Sequence, residues 1–247
     1  LQSKKLTRIS GLPQVKEKGQ GGLLDVRFHP RFTENKKIFF TYTSEYDDGI
    51  GTILASADLI GFKLKNVKTL FKSEPPGSSG RHFGSRIVFS DDETLFFGVG
   101  DRGERDLAQD LSKPNGKLFR LKWNGEIPKD NPFVANKKAV PGIWSYGHRN
   151  PQGMAIHPET KKLYEQEHGP RGGDEINLVK KGKNYGWPKI TYGKEYWGPD
   201  IGPSHGKGME QPIKQFTPSI APSSLMIYSG KLFKKCFKSK IYNSLFI

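Results

Sequence analysis

VRFHPRFTENKKIFFTYT, residues 26–43, reads as two strands closed by a turn. Val26 and Phe28 precede His29-Pro30, a polar stretch follows, and Ile38-Phe39-Phe40 opens a second apolar run. The plan returns in MAIHPETKKLYEQE, residues 154–167, with a second His-Pro, and in IVFSDDETLFFGVGD, residues 87–101, with Ser-Asp-Asp-Glu at the turn. Hairpins of one design at separated places imply a repeated supersecondary unit, such as the inner hairpin found once in each blade of a propeller. A blade takes roughly 40–45 residues, so a chain of 247 residues would hold between five and six.

Outward from these hairpins, short apolar or aromatic runs alternate with turn clusters. Strands are expected at 23–28, 37–43, 52–58, 86–89, 94–99, 117–122, 153–156, 162–165, 225–228 and 231–233, with one helical turn at 107–111. Between them lie SEYDDG, GDRG, KWNGEIP and KKGKNYGWP, and the chain holds 29 Gly and 17 Pro. Strands this short, punctuated by Gly, Pro, Asn and Asp, predict an all-β sandwich, barrel or propeller. No long window carries a 3.6-residue apolar period.

Composition excludes several classes. Hydrophobic residues make up only 34%, but 12% of the chain is aromatic, which argues against wholesale disorder. No stretch approaches the ~20 apolar residues of a membrane-spanning helix. Cys236 is the only cysteine, so neither an intrachain disulfide nor a cysteine zinc cage is available. A net charge of +15 raises nucleic acid or an acidic surface as partners. The lysines are scattered over loops such as 34–37, 161–162 and 179–183, and no RNA-binding signature accompanies them, so a solvated basic surface accounts for the excess.

Five polar clusters carry candidate chemistry. Gly19 to Asp25, GQGGLLD, is either a tight turn before a strand or backbone bared for close approach to a ligand. His82, in RHFGSR, is a candidate general base or an exposed loop histidine, and Arg81 and Arg86 beside it would hold it neutral. Asp101, in GDRG after a strand, can orient an imidazole or simply shape the turn. GHRNPQG, residues 147–153, concentrates more polar heads than a turn needs: Arg149 can clamp an anion and Asn150 can both donate and accept. EHGPRGGDE, residues 167–175, offers carboxylates and backbone carbonyls of the kind that hard cations such as calcium take, whereas its histidine spacing fits no usual zinc site.

Five strings in order raise the specificity: residues 11–32, 82–121, 127–133 (IPKDNPF), 143–188 and 210–230 (EQPIKQFTPSIAPSSLMIYSG). With them the chain resembles the soluble quinoprotein glucose/sorbosone dehydrogenases, of the aldose sugar dehydrogenase type. The resemblance implies a six-bladed β-propeller, all-β, holding pyrroloquinoline quinone (PQQ) and calcium (Ca2+) over its central channel. By that resemblance His82 matches the general base and Asp101 the carboxylate that orients it. Gln20 matches a cofactor- and substrate-side amide, and Arg149 and Asn150 the pair that contacts the quinone oxygens. Gly169 and Pro170 match carbonyl ligands of the cofactor calcium, with His168 beside them as a cofactor contact. Glu210 matches a ligand of a second, structural calcium. The implied reaction removes a proton from the anomeric hydroxyl of an aldose and passes hydride from the same carbon to the quinone, giving a lactone. The implied partners are the sugar and an electron acceptor, without nucleic acid or a membrane span; a homodimer is left open. A periplasmic or secreted location follows from the same family habit.

The ends depart from the pattern. The chain opens on LQSKKLTRISGLP with no starting Met or signal segment, and it closes on a lysine-rich run ending in apolar residues. The expectation is a single partial propeller domain over residues 1–247, cut at both ends, that lacks the late-blade basic residues and binds PQQ weakly by itself. Two rival readings are a calcium-bearing propeller without redox activity, acting as a carbohydrate- or protein-binding module, and a propeller lactonase. The lactonase would want a carboxylate-rich metal floor where this sequence offers amides and arginine.

Overall fold

A computed structural model describes residues 6–229 and the strand Ser244–Phe246. The first sheet runs β1 (Leu23–Phe28), β2 (Lys37–Tyr46), β3 (Gly49–Ile60) and β4 (Lys63–Lys72), each strand antiparallel to the one before. The second repeats this with β5 (Ile87–Phe89), β6 (Thr94–Val99), β7 (Lys117–Lys122) and β8 (Ile143–Tyr146). The third has β9 (Pro151–Ile156), β10 (Leu163–Glu167), β11 (Asp174–Val179) and β12 (Lys214–Phe216). A further antiparallel pair joins β13 (Met226–Tyr228) to β14 (Ser244–Phe246). One-turn helix α1 (Phe32–Asn35) sits between β1 and β2, and a short 3-10 helix covers Arg105–Gln109, close to the helical turn expected at 107–111.

The repeated hairpins are the first two strands of each sheet, and the His-Pro turns have a local cause. His29 Nδ1 accepts the Arg31 N–H at 2.9 Å and the Asn35 amide at 2.8 Å. His157 Nδ1 accepts the N–H groups of Glu159 and Thr160, both at 3.2 Å. In the second sheet Asp92 Oδ1 does the same work for Thr94, taking its N–H at 3.2 Å and its hydroxyl at 2.6 Å. Each side chain satisfies turn donors that the strand ladder cannot reach.

Successive sheets pack face to face, with their first strands side by side: β1 meets β5, β5 meets β9 and β9 meets β13. A strand between two sheets is apolar on both faces, because alternate side chains point opposite ways. Phe97 on β6 faces the first sheet, in a buried cluster with Phe39, Leu54, Leu95, Phe119 and Leu121. Its neighbour Phe96 faces the third sheet and packs with Leu118, Met154 and Leu163. Trp144 closes on Phe96 edge-on, with ring centroids 5.3 Å apart.

Nine of the ten expected strands lie in the described residues and overlap an observed strand; 231–233 and Cys236 lie outside them. Strands β4, β8, β11, β12 and β14 have no counterpart in the expectation. KLKNVKTLFK of β4 is lysine-rich and mostly exposed, which suits an outer strand whose edge, bridged by Ser10 at Lys63, must otherwise resist pairing. DEINLV of β11 opens on two acids, and β12 is three residues long. The blade count inferred from repeat length also changes. Long connections at 100–116, 123–142 and 180–213 take up chain, leaving three four-stranded sheets and one two-stranded pair among the described residues.

Candidate active site

In an up-and-down sheet, the connection from strand two to strand three and the one leading to the next sheet fall at the same end. The candidate residues occupy those connections. His82 lies between β4 and β5, Asp101 between β6 and β7, Arg149 and Asn150 between β8 and β9, and His168, Gly169 and Pro170 between β10 and β11. Gln20 precedes β1 and reaches the same end. Gln20, His82, Arg149, Asn150, His168, Gly169 and Pro170 line one cavity of about 980 Å³, together with Arg171, Tyr192, Lys194, Tyr196 and Thr217. Asp101 stands behind His82 and is 1% exposed.

The His82–Asp101 pair is built by backbone proximity. A Cβ on Gly100 would lie 2.2 Å from the His82 carbonyl oxygen, so only glycine lets the two loops meet so closely. His82 has a left-handed φ of 54°, and its N–H donates to Gln20 Oε1 at 2.7 Å. Its Nδ1 lies 2.6 Å from Asp101 Oδ1. Asp101 is acceptor-only when ionised, so Nδ1 carries the proton and Nε2 is left as the basic nitrogen. Asp101 is itself held: Gly103 N–H donates to Oδ1 at 2.7 Å, and Trp187 Nε1 donates to Oδ2 at 2.7 Å. Arg86, expected to act on His82, instead turns to Asp25 at 3.2 Å.

Arg149 and Asn150 are fixed from below by Glu167, whose Oε2 accepts both backbone N–H groups, that of Asn150 at 3.1 Å. The Arg149 guanidinium donates to the His168 carbonyl at 3.0 Å and lies 5.4 Å from the Trp187 ring centroid. Its Nε is buried without a hydrogen-bond partner. Asn150 Oδ1 accepts from Gly84 N–H at 3.3 Å and Gln152 at 2.9 Å, which leaves the donor end of the amide for a ligand. His168 donates from Nε2 to the Pro222 carbonyl at 2.7 Å. Asp174 ties the Gly169–Pro170 turn across to the next connection: Oδ1 accepts Gly169 N–H at 2.9 Å, and Oδ2 accepts Ser219, Ile220 and Ala221 at 2.6–2.8 Å.

Glu210 is not brought to this cavity. Its carboxylate is 2.6 Å from Lys180 Nζ and 3.6 Å from Lys183 Nζ, and the Lys180 hydrogen bond holds it below the ordinary carboxylate range.

The sequence profile described as Glucose / Sorbosone dehydrogenase matches residues 1–245. The chain belongs to the glucose/sorbosone dehydrogenase family. It is 46% identical over 233 residues to the aldose sugar dehydrogenase YliI of Escherichia coli (strain K12), covering 91% of this chain but only 62% of that protein's length. The crystal structure of the soluble aldose sugar dehydrogenase from Escherichia coli, in the apo form, superposes with a TM-score of 0.89 at 44% identity, covering 92% of this chain and 67% of that one. The PQQ-bound aldose sugar dehydrogenase of Streptomyces coelicolor gives 0.70 at 30% identity, covering 86% and 59%. Among the described residues no helix is long and apolar enough to cross a membrane.

Several residues of this glucose/sorbosone dehydrogenase chain escaped the sequence reading. Trp187 belongs to KKGKNYGWP, which reads as a turn, yet it touches both Asp101 and Arg149. Arg102 lies over the Phe83 ring at 3.4 Å and donates to the carbonyls of Arg81 and Ile50, locking the loop that carries His82. Burial lowers its pKa to about 10. An alternation of residue types flags neither, since both contacts span distant connections.

Lys117 underpins the Asp101 loop. Its fully buried ammonium donates to the carbonyls of Leu107, Ala108 and Asn115 at 2.6–3.0 Å, and Asn115 in turn donates to the Asp101 carbonyl at 3.1 Å. Burial pushes Lys117 down to about 7, against a smaller opposing effect of Asp110. Below about 7 both folded and unfolded chains hold this proton. Between about 7 and the ordinary value of 10.5 the unfolded chain holds more of it, so this residue makes stability rise with pH in that window. Thermal unfolding of wild type and Lys117→Met at about pH 7 and about pH 10 checks the sign: the wild-type advantage must be larger at the higher pH.

Proposed function

We propose that this chain carries the catalytic base and part of the cofactor cradle of a PQQ-dependent enzyme that oxidises aldose sugars to lactones by hydride transfer to the quinone. The observation that carries the reading is the His82–Asp101 pair, with Nδ1 tied to a buried carboxylate and the imidazole lining the same cavity as Arg149, Asn150 and Gln20. The same reading treats residues 1–247 as one partial domain of a six-bladed β-propeller, in keeping with a chain that spans 62% of the Escherichia coli relative. A periplasmic or secreted setting and an external electron acceptor belong to it as well.

The residues suit the two groups. Arg149 has a buried Nε without a partner and a guanidinium at the cavity wall, a fit for an anionic or quinoid oxygen. Gly169 and Pro170 line the same cavity, and backbone carbonyl oxygens are donors of the kind a hard cation takes. Gly169 and Pro170 would hold calcium, and Gln20, Arg149, Asn150 and His168 would hold PQQ. When bound, they supply a two-electron acceptor and a Lewis acid. His82 Nε2 takes the proton of the anomeric hydroxyl, and Asp101 stabilises the imidazolium that results. Asn150 and Gln20 orient the sugar and cofactor, and Arg149 stabilises negative charge that develops beside it.

The test is dye-linked oxidation by the complete gene product that carries this sequence. Aldose-driven dye reduction that requires both PQQ and Ca2+ is expected. No reduction with a panel of aldoses at saturating PQQ and Ca2+ overturns the reading.

A further inference from the structure

Between the second and third sheets lies a buried polar cluster that the proposed oxidation does not use. Glu165 and Glu167 alternate on β10 and so share a face. Across the ladder, Glu165 pairs with Asn177 and Glu167 with Glu175 on β11, while on the other side Glu165 pairs with Met154, which packs on the second sheet. His148 comes in from the β8–β9 connection. His148, Glu165 and Asn177 are 0% exposed and Glu167 is 4%. The candidate ligand atoms of His148, Glu165 and Glu167 all lie within 4.8 Å of one another.

Two fully buried atoms in this cluster have no hydrogen-bond partner: Glu165 Oε1 and Asn177 Oδ1. Asn177 meanwhile directs one amide nitrogen, with two hydrogens, at three carboxylates: Glu165 at 3.2 Å, and Glu167 and Glu175 at 3.4 Å. His148 is oriented by Ser145 Oγ, 2.9 Å from Nε2, and by stacking on Tyr185. Its Nδ1 stands 3.4 Å from Glu167 and 3.8 Å from Glu165. Those separations are long for charge-assisted hydrogen bonds. They match the spacing of about 3.4 Å between two ligands that share a tetrahedral ion at about 2.1 Å. Among the described residues, no Lys or Arg stands within ion-pair distance of Glu165 or Glu167; only the His148 imidazole does.

We propose that His148 Nδ1, Glu165, Glu167 and, after rotation of its amide, Asn177 Oδ1 form a binding site for a divalent first-row transition ion. An imidazole with carboxylates suits Zn2+ or Mn2+, whereas calcium sites are all oxygen. The site is separate from the Gly169–Pro170 turn and does not depend on the redox reading. Its consequence reaches the cavity all the same. Glu167 would ligate through Oε1 while Oε2 holds the backbone of Arg149 and Asn150, so the ion braces the segment that carries both residues.

The full chain, stripped with chelator, is titrated calorimetrically with ZnCl2, MnCl2 and CaCl2 separately. One equivalent of Zn2+ or Mn2+ is expected, and Ca2+ at saturation of the Gly169–Pro170 turn does not displace it. Glu165→Gln weakens that site by more than about 100-fold, beyond the 10–100-fold that loss of a group outside the ligand set costs. Glu159→Gln, at an exposed position in the β9–β10 turn, leaves it unchanged. Because a misfolded variant would also lose the ion, Mn2+ bound to the wild type is probed by pulsed electron paramagnetic resonance, where coupling to one imidazole nitrogen is required. Failure to bind Zn2+ or Mn2+, displacement of that ion by Ca2+, undiminished affinity in Glu165→Gln, or Mn2+ without nitrogen coupling each overturns the proposal.

Discussion

On the proposed function, His82→Ala is expected to lower kcat for dye-linked aldose oxidation by the complete gene product about 10²–10⁴-fold, the usual contribution of a positioned general base. The loss is chemical, because the fold keeps its supports. Asp101 retains Gly103 N–H and Trp187 Nε1 as donors when the imidazole is gone, so no bare charge is left in the interior. Asp101→Asn acts on the same step from behind. An asparagine amide facing Nδ1 as donor forces the proton onto Nε2, the nitrogen needed as base, so this change also lowers kcat with little effect on KM. The two residues work as a unit, so the double variant falls no more than about tenfold below the worse single variant. Steady-state kinetics of the three variants at saturating PQQ and Ca2+ decides it. Independent, multiplicative losses would separate Asp101 from His82 and remove the base assignment.

Asp174→Ala is expected to destabilise the protein by about 3–5 kcal/mol and, on the proposed function, to weaken calcium binding. This carboxylate is fully buried and accepts from Gly169 N–H, Ser219 Oγ, Ile220 N–H and Ala221 N–H. A hydrogen bond to a charged group is worth about 1.5–3 kcal/mol, and stranded donors add a desolvation cost, although neighbouring losses do not sum in full. The alanine also unties the Gly169–Pro170 turn from the segment that closes the cavity opposite it, which is why ion affinity falls with stability. Ser219→Ala removes one donor together with its need for a partner, and costs about 1 kcal/mol. Urea unfolding with an unchanged m-value, paired with a calcium titration of each variant, measures both effects. A cost near that of Ser219→Ala would mean that water replaces the carboxylate and that the turn stands alone.

Much of the fold was legible because the inner hairpins have their causes within a few residues. His29, His157 and Asp92 close turns with their own side chains, and Phe96-Phe97 declares a strand with a sheet on each side. The outer strands were not legible. The lysines that protect the edge of β4 are the residues that disguise it as a loop. In the site, the seven residues the resemblance picked for the cavity do line it together, and Asp101 does back His82. Trp187 and Arg102 stayed hidden because each acts through a contact between distant connections, and nothing in their local strings marks it.

The chain order alone determined an all-β repeat, its turn chemistry and the presence of an imidazole, a guanidinium and a calcium-like carbonyl turn, since these depend on neighbours a few positions apart. Which of them meet was decided only by tertiary structure. Three sheets deliver their connections to one end, and a missing Cβ at Gly100 lets His82 close on the Asp101 loop. The cluster of His148, Glu165, Glu167 and Asn177 exists only because β10 and β11 pair in a register that aims those side chains into the space between two sheets.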